Sequence, residues 1–133
     1  MLNNKEIYDT SATDKKLGIA IKLIDKDSNV IAKEYLKNTL VKIVTVVGFP
    51  LGACISKVKA FEAQKAIMDG ADEIDMVINI AMLKDGRLDR VLSEINDIKS
   101  ACEGRLLKVI IETCMLTETE KITMCDILSK SKA

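Results

Sequence analysis

Two charged residues, Asp75 and Lys108, lie within segments that otherwise have the composition of buried β-strands. Buried parallel strands read as nearly continuous apolar runs, so a charge inside one usually has a function. An acid beside an amine can transfer protons, and an amine can also form an imine with a carbonyl compound. Removing one partner of a buried ion pair costs about 3–5 kcal/mol, because the other charge is left uncompensated. We therefore predict that Asp75 and Lys108 are candidate catalytic residues.

The alternation of side chains along a strand decides whether these two residues can meet. One predicted polar face holds Asp75, Val77 and Asn79, and the other holds Lys108, Ile110 and Glu112. The opposite faces are apolar and suit contact with helices; they comprise Ile74, Met76, Ile78 and Ile80 in one strand and Leu107, Val109 and Ile111 in the other. If the strands are neighbours in one barrel-like sheet, both polar faces point inward and Lys108 comes close to Asp75.

Strand-like and helix-like segments alternate along the chain. The predicted strands are 41–47, 73–80 and 106–112. The predicted helices are 56–69, which Gly70 caps, 88–102, whose apolar residues recur at helical spacing, and a last helix with Thr117 as N-cap and Glu120 at its third position. Segments 17–24 and 30–38 give weaker signals, the first amphipathic and the second helix-like. This alternation predicts βαβ units, a parallel sheet and the α/β fold class.

Composition excludes several classes of function. A chain of 133 residues is expected to form one domain. Twenty basic residues balance twenty acidic ones and aromatic residues make up 3%, so we expect no nucleic-acid partner. The sequence has no histidine, which excludes Ser-His-Asp, Cys-His and histidine-rich metal sites within it. No glycine-rich dinucleotide fingerprint or phosphate loop follows a predicted strand.

Location and redox state are also constrained by the sequence. No apolar run is long enough to span a membrane, and residues 1–6 lack the apolar core of a signal peptide, so we expect no membrane partner. The four cysteines form no C-x-x-C pair and are expected to be buried core thiols. A reduced cytoplasmic location fits this pattern.

Each of these features also has a purely structural interpretation. Asp75 and Lys108 could form only a structural ion pair, while Asn79 and Glu112 could cap strand ends and bind loop amides. The glycines and proline of 48–52 could form only a turn, although loops that follow barrel strands are where such sites are built. The charged helix faces are expected to be solvated.

Four motifs occur together in order: VGFPLG at 47–52, KAFE at 59–62, GADEIDMVIN at 70–79 and LLKVIIET at 106–113. This set resembles the deoxyribose-phosphate aldolase family of class I aldolases. The resemblance is strong over residues 41–117, whereas residues 1–40 diverge from the family pattern. The resemblance implies a TIM barrel that reversibly cleaves 2-deoxyribose 5-phosphate to glyceraldehyde 3-phosphate and acetaldehyde. It also implies a lysine Schiff base and no metal or other cofactor. In this resemblance Asp75 matches the proton-relay aspartate and Lys108 matches an interior lysine of the fifth strand.

The sequence also departs from the family pattern. In the family, the Schiff-base lysine lies in a K-T-S-T-G motif on the sixth strand. The 133 residues contain no such motif. Residues 7–10 match the family's opening I-D-H-T only faintly, and the second strand is expected to be lost between residues 24 and 30. We therefore predict one partial (β/α)8 barrel domain over residues 1–133 that retains strands three to five and is inactive alone.

Three alternatives stay open at this point. Lys108 itself could form the imine, although the family uses another strand for that role. The chain could instead be a noncatalytic interaction module whose open sheet edges pair with a second copy or another chain. It could also be a small flavodoxin-like regulatory domain with Asp75 as its acidic site.

Overall fold

Four parallel β-strands alternate with helices in the computed structural model, which describes residues 20–23 and 27–133. The strands are β1 (Ala20–Leu23), β2 (Lys42–Val47), β3 (Glu73–Val77) and β4 (Leu106–Ile110). The helices are α1 (Asp27–Leu36), α2 (Ser56–Met68), α3 (Ile80–Lys84), α4 (Leu88–Ala101) and α5 (Glu118–Lys130), with a short 3-10 helix at Thr113–Met115. The α/β class and the partial barrel predicted from the sequence are confirmed.

The sheet has the consecutive order β1-β2-β3-β4, and every neighbouring pair is parallel. A flavodoxin-like sheet exchanges its first strands in the order 2-1-3-4-5, so four consecutive neighbours contradict that alternative. Consecutive parallel strands are instead the arrangement of a (β/α)8 barrel.

The prediction of three strands is wrong, because β1 is a fourth one. This strand has only four residues and pairs in parallel with β2, from Ala20 opposite Lys42 to Leu23 opposite Thr45. A short strand is specified mainly by its pairing partner, which local sequence patterns do not reveal. Residues 7–10 and the first part of the polar segment 25–29 lie outside the described residues.

The main apolar core lies between the sheet and helices α2, α4 and α5. Ile74 and Met76 are fully buried on the helix-facing side of β3, as predicted from the strand alternation. The predicted stripe of α4 is confirmed at its centre, where Val91, Ile95 and Ile98 have no exposed surface. A smaller cluster holds α1 against β2 and comprises Ala32, Leu36 and Ile43.

Two predicted helix ends are confirmed by their hydrogen bonds. The Thr117 side chain accepts a hydrogen bond from the Glu120 amide, and the Glu120 side chain accepts one from the Thr117 amide, which completes a capping box. At the end of α2, Gly70 has a φ of 114°. Its amide and that of Ala71 donate to carbonyls of the last helical turn, in the pattern of a Schellman motif.

Both site strands end earlier than predicted. Strand β3 ends at Val77, and the Asn79 side chain accepts a hydrogen bond from the Met82 amide as the N-cap of α3. Strand β4 ends at Ile110, and Glu112 adopts a left-handed φ of 57° before the 3-10 helix. Asn79 and Glu112 therefore do not continue the inward faces of their strands. Their local caps and turns compete with strand pairing. Asn79 does bind a backbone amide, but it does so as a helix N-cap and not as the cap of a strand end.

Gly52 is the point of closest approach between the loop after β2 and the end of β3. It has a φ of 65°, and an added Cβ would lie 1.8 Å from the Ile78 carbonyl oxygen. Its amide donates to the Gly48 carbonyl over 2.7 Å, which closes the loop. Only glycine satisfies both the left-handed conformation and this contact without strain.

We expect Gly52→Ala to lower the free energy of unfolding by about 2–5 kcal/mol, through left-handed strain and overpacking together. The matched control is Gly86→Ala, because Gly86 has a φ of 70° and nothing within 4 Å of an added Cβ. The control should lose only about 1–2 kcal/mol, the strain alone. Chemical denaturation of both variants measures the difference, and equal losses would show that the Ile78 contact is unimportant.

Candidate active site

The Lys108 ammonium and the Asp75 carboxylate form an ion pair on the inner face of the sheet. Lys108 stands opposite Asp75 in the β3–β4 register, and its Nζ lies 3.0 Å from Asp75 Oδ1. The predicted meeting of these two side chains is confirmed. The Asp75 side chain is 10% exposed, whereas that of Lys108 is 45% exposed. The pair is therefore only partly buried, and the energetic cost expected for a fully buried pair does not apply to it.

Glu73 is a further member of this cluster that the sequence interpretation missed. It precedes Asp75 by two residues and so shares its strand face. Its carboxylate lies 3.2 Å from Lys108 Nζ and accepts a hydrogen bond of 2.7 Å from Lys42 Nζ. The two-residue spacing could have indicated Glu73, but the register that brings Lys42 to it could not be read from sequence.

These contacts change the protonation of the cluster. The hydrogen bond from Lys42 is the largest cause that lowers the pKa of Glu73, and Lys108 adds to it against the opposing effect of burial. Burial acts to lower the pKa of Lys108, but Asp75 and Glu73 together outweigh it and raise that pKa above the ordinary 10.5. The direction of this shift favours the ammonium form of Lys108, whereas imine formation needs the neutral amine.

Apolar side chains surround the charged cluster on the same side of the sheet. Val44 pairs with Glu73, and Val46 pairs with Asp75 in the β2–β3 register. Both valines and Val77 are buried. These apolar neighbours border the buried carboxylates, whereas the lysine side chains of the cluster stay about half exposed and are screened by solvent.

The carboxyl ends of β2 and β3 carry two segments that border this face. The loop 48–52 follows β2, and its Gly48 amide donates to Glu62 Oε2 over 2.8 Å. The turn after β3 contains Asn79 and leads directly into α3. Active sites of (β/α)8 barrels lie at this end of the strands.

A second ion pair lies on the opposite, helix-facing side of the sheet. Lys59 of α2 and Glu94 of α4 lie 2.9 Å apart, and neither side chain has exposed surface. The prediction that charged helix residues are solvated is wrong for these two. A lysine and a glutamate on amphipathic helices are usually surface residues, so the sequence held no signal for this burial.

The cysteines match the expectation of buried thiols only in part. Cys102 is buried, and burial raises the pKa of its thiol to about 11, whereas Cys114 and Cys125 are exposed. All four thiols are free.

Among residues 20–23 and 27–133, no group of three or more acidic or cysteine side chains could hold a metal ion. Within the same ranges, no helix is both long enough and apolar enough to cross a bilayer.

The Asp75 carboxylate can accept and return a proton, and the Lys108 ammonium holds that carboxylate in place. Such a pair suits general acid–base chemistry beside a substrate bound at the inner face of the sheet. It does not by itself supply a free amine, because Lys108 is held in its charged form.

Known proteins share both the sequence and the fold of this chain. Deoxyribose-phosphate aldolase of Actinobacillus succinogenes is 58% identical over 97 residues, which cover 73% of this chain and 43% of that enzyme. The solved structure of the aldolase QR15 has a TM-score of 0.78 at 31% identity and covers 87% of this chain and 50% of its own. The tetrameric deoxyribose phosphate aldolase of Aeropyrum pernix has a TM-score of 0.74 at 26% identity. The match covers 84% of this chain and 47% of that enzyme's chain.

The chain thus spans less than half the length of the curated relative, and its strands superpose on part of larger aldolase structures. The model of the DeoC/LacD family aldolases matches residues 17–126, which include β1 to β4 and the whole charged cluster. From this match and the geometry of the sheet, the chain belongs to the DeoC/LacD aldolase family.

Proposed function

We propose that this chain supplies the acid–base part of a deoxyribose-phosphate aldolase site. The reaction is the reversible cleavage of 2-deoxyribose 5-phosphate to glyceraldehyde 3-phosphate and acetaldehyde. The observation that carries the proposal is the 3.0 Å pair of Lys108 and Asp75 on the inner face of a parallel sheet, within a chain of this family. The curated relative that bears this enzyme's name supports the choice of substrate.

Asp75 has the position and chemistry of the proton relay in this reaction. A class I aldolase joins an amine to the substrate carbonyl and passes through carbinolamine and enamine stages, each of which needs proton transfer. The Asp75 carboxylate can take a proton from the substrate hydroxyl as the carbon–carbon bond breaks and can return one to the enamine. Its inward orientation between Val46 and Lys108 is consistent with that role.

Lys108 acts as the charge partner of Asp75 in this proposal and not as the nucleophile. Its raised pKa favours the ammonium, whereas an imine-forming lysine needs a lowered pKa. The 133 residues contain no K-T-S-T-G motif. We therefore propose that the nucleophilic lysine belongs to the part of the barrel that lies outside the match between this chain and its relatives. We also propose that the reaction needs no cofactor and that the protein is cytoplasmic.

An interaction module is the second candidate, and the edge of β4 favours it. In the described part of the chain β4 pairs only with β3, and its Leu106 and Lys108 are nearly half exposed. Open edges of this kind bind further strands, so the chain could complete its sheet with a second copy. Light scattering tests this: a concentration-dependent homo-oligomer supports it, and a stable monomer contradicts it.

We expect the 133-residue chain alone to show no turnover of 2-deoxyribose 5-phosphate and no adduct after borohydride treatment, because Lys108 remains charged. Mass spectrometry of the treated chain measures the adduct. Lys108→Met is the control for any adduct that does form. A mass increase in the unaltered chain that disappears in this variant would identify Lys108 as the nucleophile and contradict the assignment.

The protonation of Lys108 gives an independent test. We expect its ε-amine to titrate above 10.5, and Glu73→Gln to bring the pKa back toward that value, because one of the two raising carboxylates is removed. Since the folded pKa is raised, the stabilising contribution of Lys108 is complete below the unfolded value and is lost as pH rises through the folded value.

Heteronuclear NMR of the lysine side-chain amines measures this titration, with Lys121→Met as a check on the assignment of the resonances. Lys121 pairs with Glu118 on the exposed face of α5, far from the cluster in sequence. A Lys108 pKa well below the ordinary value would show a nucleophilic amine and would reverse the roles proposed here.

A further inference from the structure

The Lys59–Glu94 pair reaches beyond the two helices that carry it. Lys59 Nζ donates to the Val77 carbonyl over 2.8 Å as well as to Glu94 Oε1 over 2.9 Å. The second carboxylate oxygen, Glu94 Oε2, accepts a hydrogen bond of 3.0 Å from the Asn79 amide. The pair therefore binds the backbone on both sides of Ile78, where the chain leaves β3.

Stability alone does not account for this pair. Desolvation of two fully buried charges offsets most of their attraction, and apolar replacements of similar volume are often neutral or stabilising. Its distinctive feature is the direction of its hydrogen bonds, which go to one backbone carbonyl and one amide at the end of β3. An apolar pair could fill the same space but could not hold these two backbone groups.

The loop after β2 rests on the same unit. An added Cβ at Gly48 would lie 2.8 Å from Lys59 Cε, so the backbone of this loop packs directly on the lysine methylenes. At the other end of the loop, Gly52 lies against the carbonyl of Ile78. The loop therefore contacts Lys59 at one end and the segment fixed by Lys59 and Glu94 at the other.

We propose that Lys59 and Glu94 are positioning residues that fix the loop 48–52 and the turn 78–79 at the carboxyl end of the sheet. This inference rests on the proposed aldolase function for its meaning, because these two segments border the face that carries Asp75. The pair lies behind the sheet and touches no substrate. Its role is to transmit the packing of α2 and α4 to the segments around the site.

The test is amide hydrogen exchange in the 133-residue chain and in the double variant Lys59→Met with Glu94→Leu. We expect the Gly52 amide to exchange about tenfold faster in the variant, which is the change expected when roughly one hydrogen bond's contribution to local stability is lost. The acceptor of that amide, the Gly48 carbonyl, is not altered by the substitutions. The Ile95 amide, in the middle of α4, reports global unfolding and should change little.

Lys65→Met is the matched control, because Lys65 lies on the same helix and forms an exposed ion pair with Asp69. It should leave the Gly52 amide unchanged. If the double variant does not fold, Glu94→Gln removes one of the two carboxylate contacts with almost no change of shape and should raise the same exchange rate.

An unchanged Gly52 amide in a folded double variant, or in Glu94→Gln, would overturn the proposal and leave the pair as an ordinary part of the core. An equal increase at Gly52 and Ile95 would overturn it as well, because the effect would then be global. Neither readout uses catalysis, so failure here does not bear on the aldolase assignment, and failure of that assignment does not alter the exchange rates.

Discussion

Strand β3 is the constraint on which the rest of this structure depends. All five of its residues are buried, yet its two faces have opposite chemistry. Ile74 and Met76 face the helices and anchor the core, while Glu73 and Asp75 face inward. A shift of one residue in register would place both carboxylates in the apolar core and both apolar side chains at the inner face. The energetic cost of that exchange fixes where Asp75 can lie.

Charge balance follows from this arrangement. Two carboxylates on one strand face would repel each other, and lysines from both neighbouring strands compensate them, Lys42 from β2 and Lys108 from β4. On the other side of β3, the Lys59–Glu94 pair holds the backbone at the end of the same strand. The strand that carries the proposed proton relay is thus held by ion pairs from both sides, and each pair joins elements that are distant in sequence.

The sequence was informative wherever one segment determines its own structure. The period-two alternation of β3 placed Asp75 inward, and the spacing of Val91, Ile95 and Ile98 identified α4. It failed where two distant segments determine the outcome. Strand β1 depends on its pairing with β2, and the burial of Lys59 depends on Glu94, 35 residues away. Neither partner leaves a local pattern that a single sequence could show.

The strand ends show a third kind of limit. Apolar residues continue past Val77 and Ile110, so the pattern predicted longer strands than the structure has. Capping by Asn79 and the left-handed turn at Glu112 stop them, because local hydrogen bonds there compete with strand pairing. The pairing of Asp75 with Lys108 was nevertheless predicted, because both residues lie well inside their strands, where alternation holds.

Complementation of this chain with the rest of an aldolase barrel is the decisive test of the proton-relay role of Asp75. The partner is the part of the Actinobacillus succinogenes enzyme that lies outside its match to this chain, and the measurement is cleavage of 2-deoxyribose 5-phosphate by the purified complex. We expect activity to appear on mixing and to fall by about two orders of magnitude or more with Asp75→Asn, as for the loss of a general acid–base group. Full activity of the Asp75→Asn complex would contradict it.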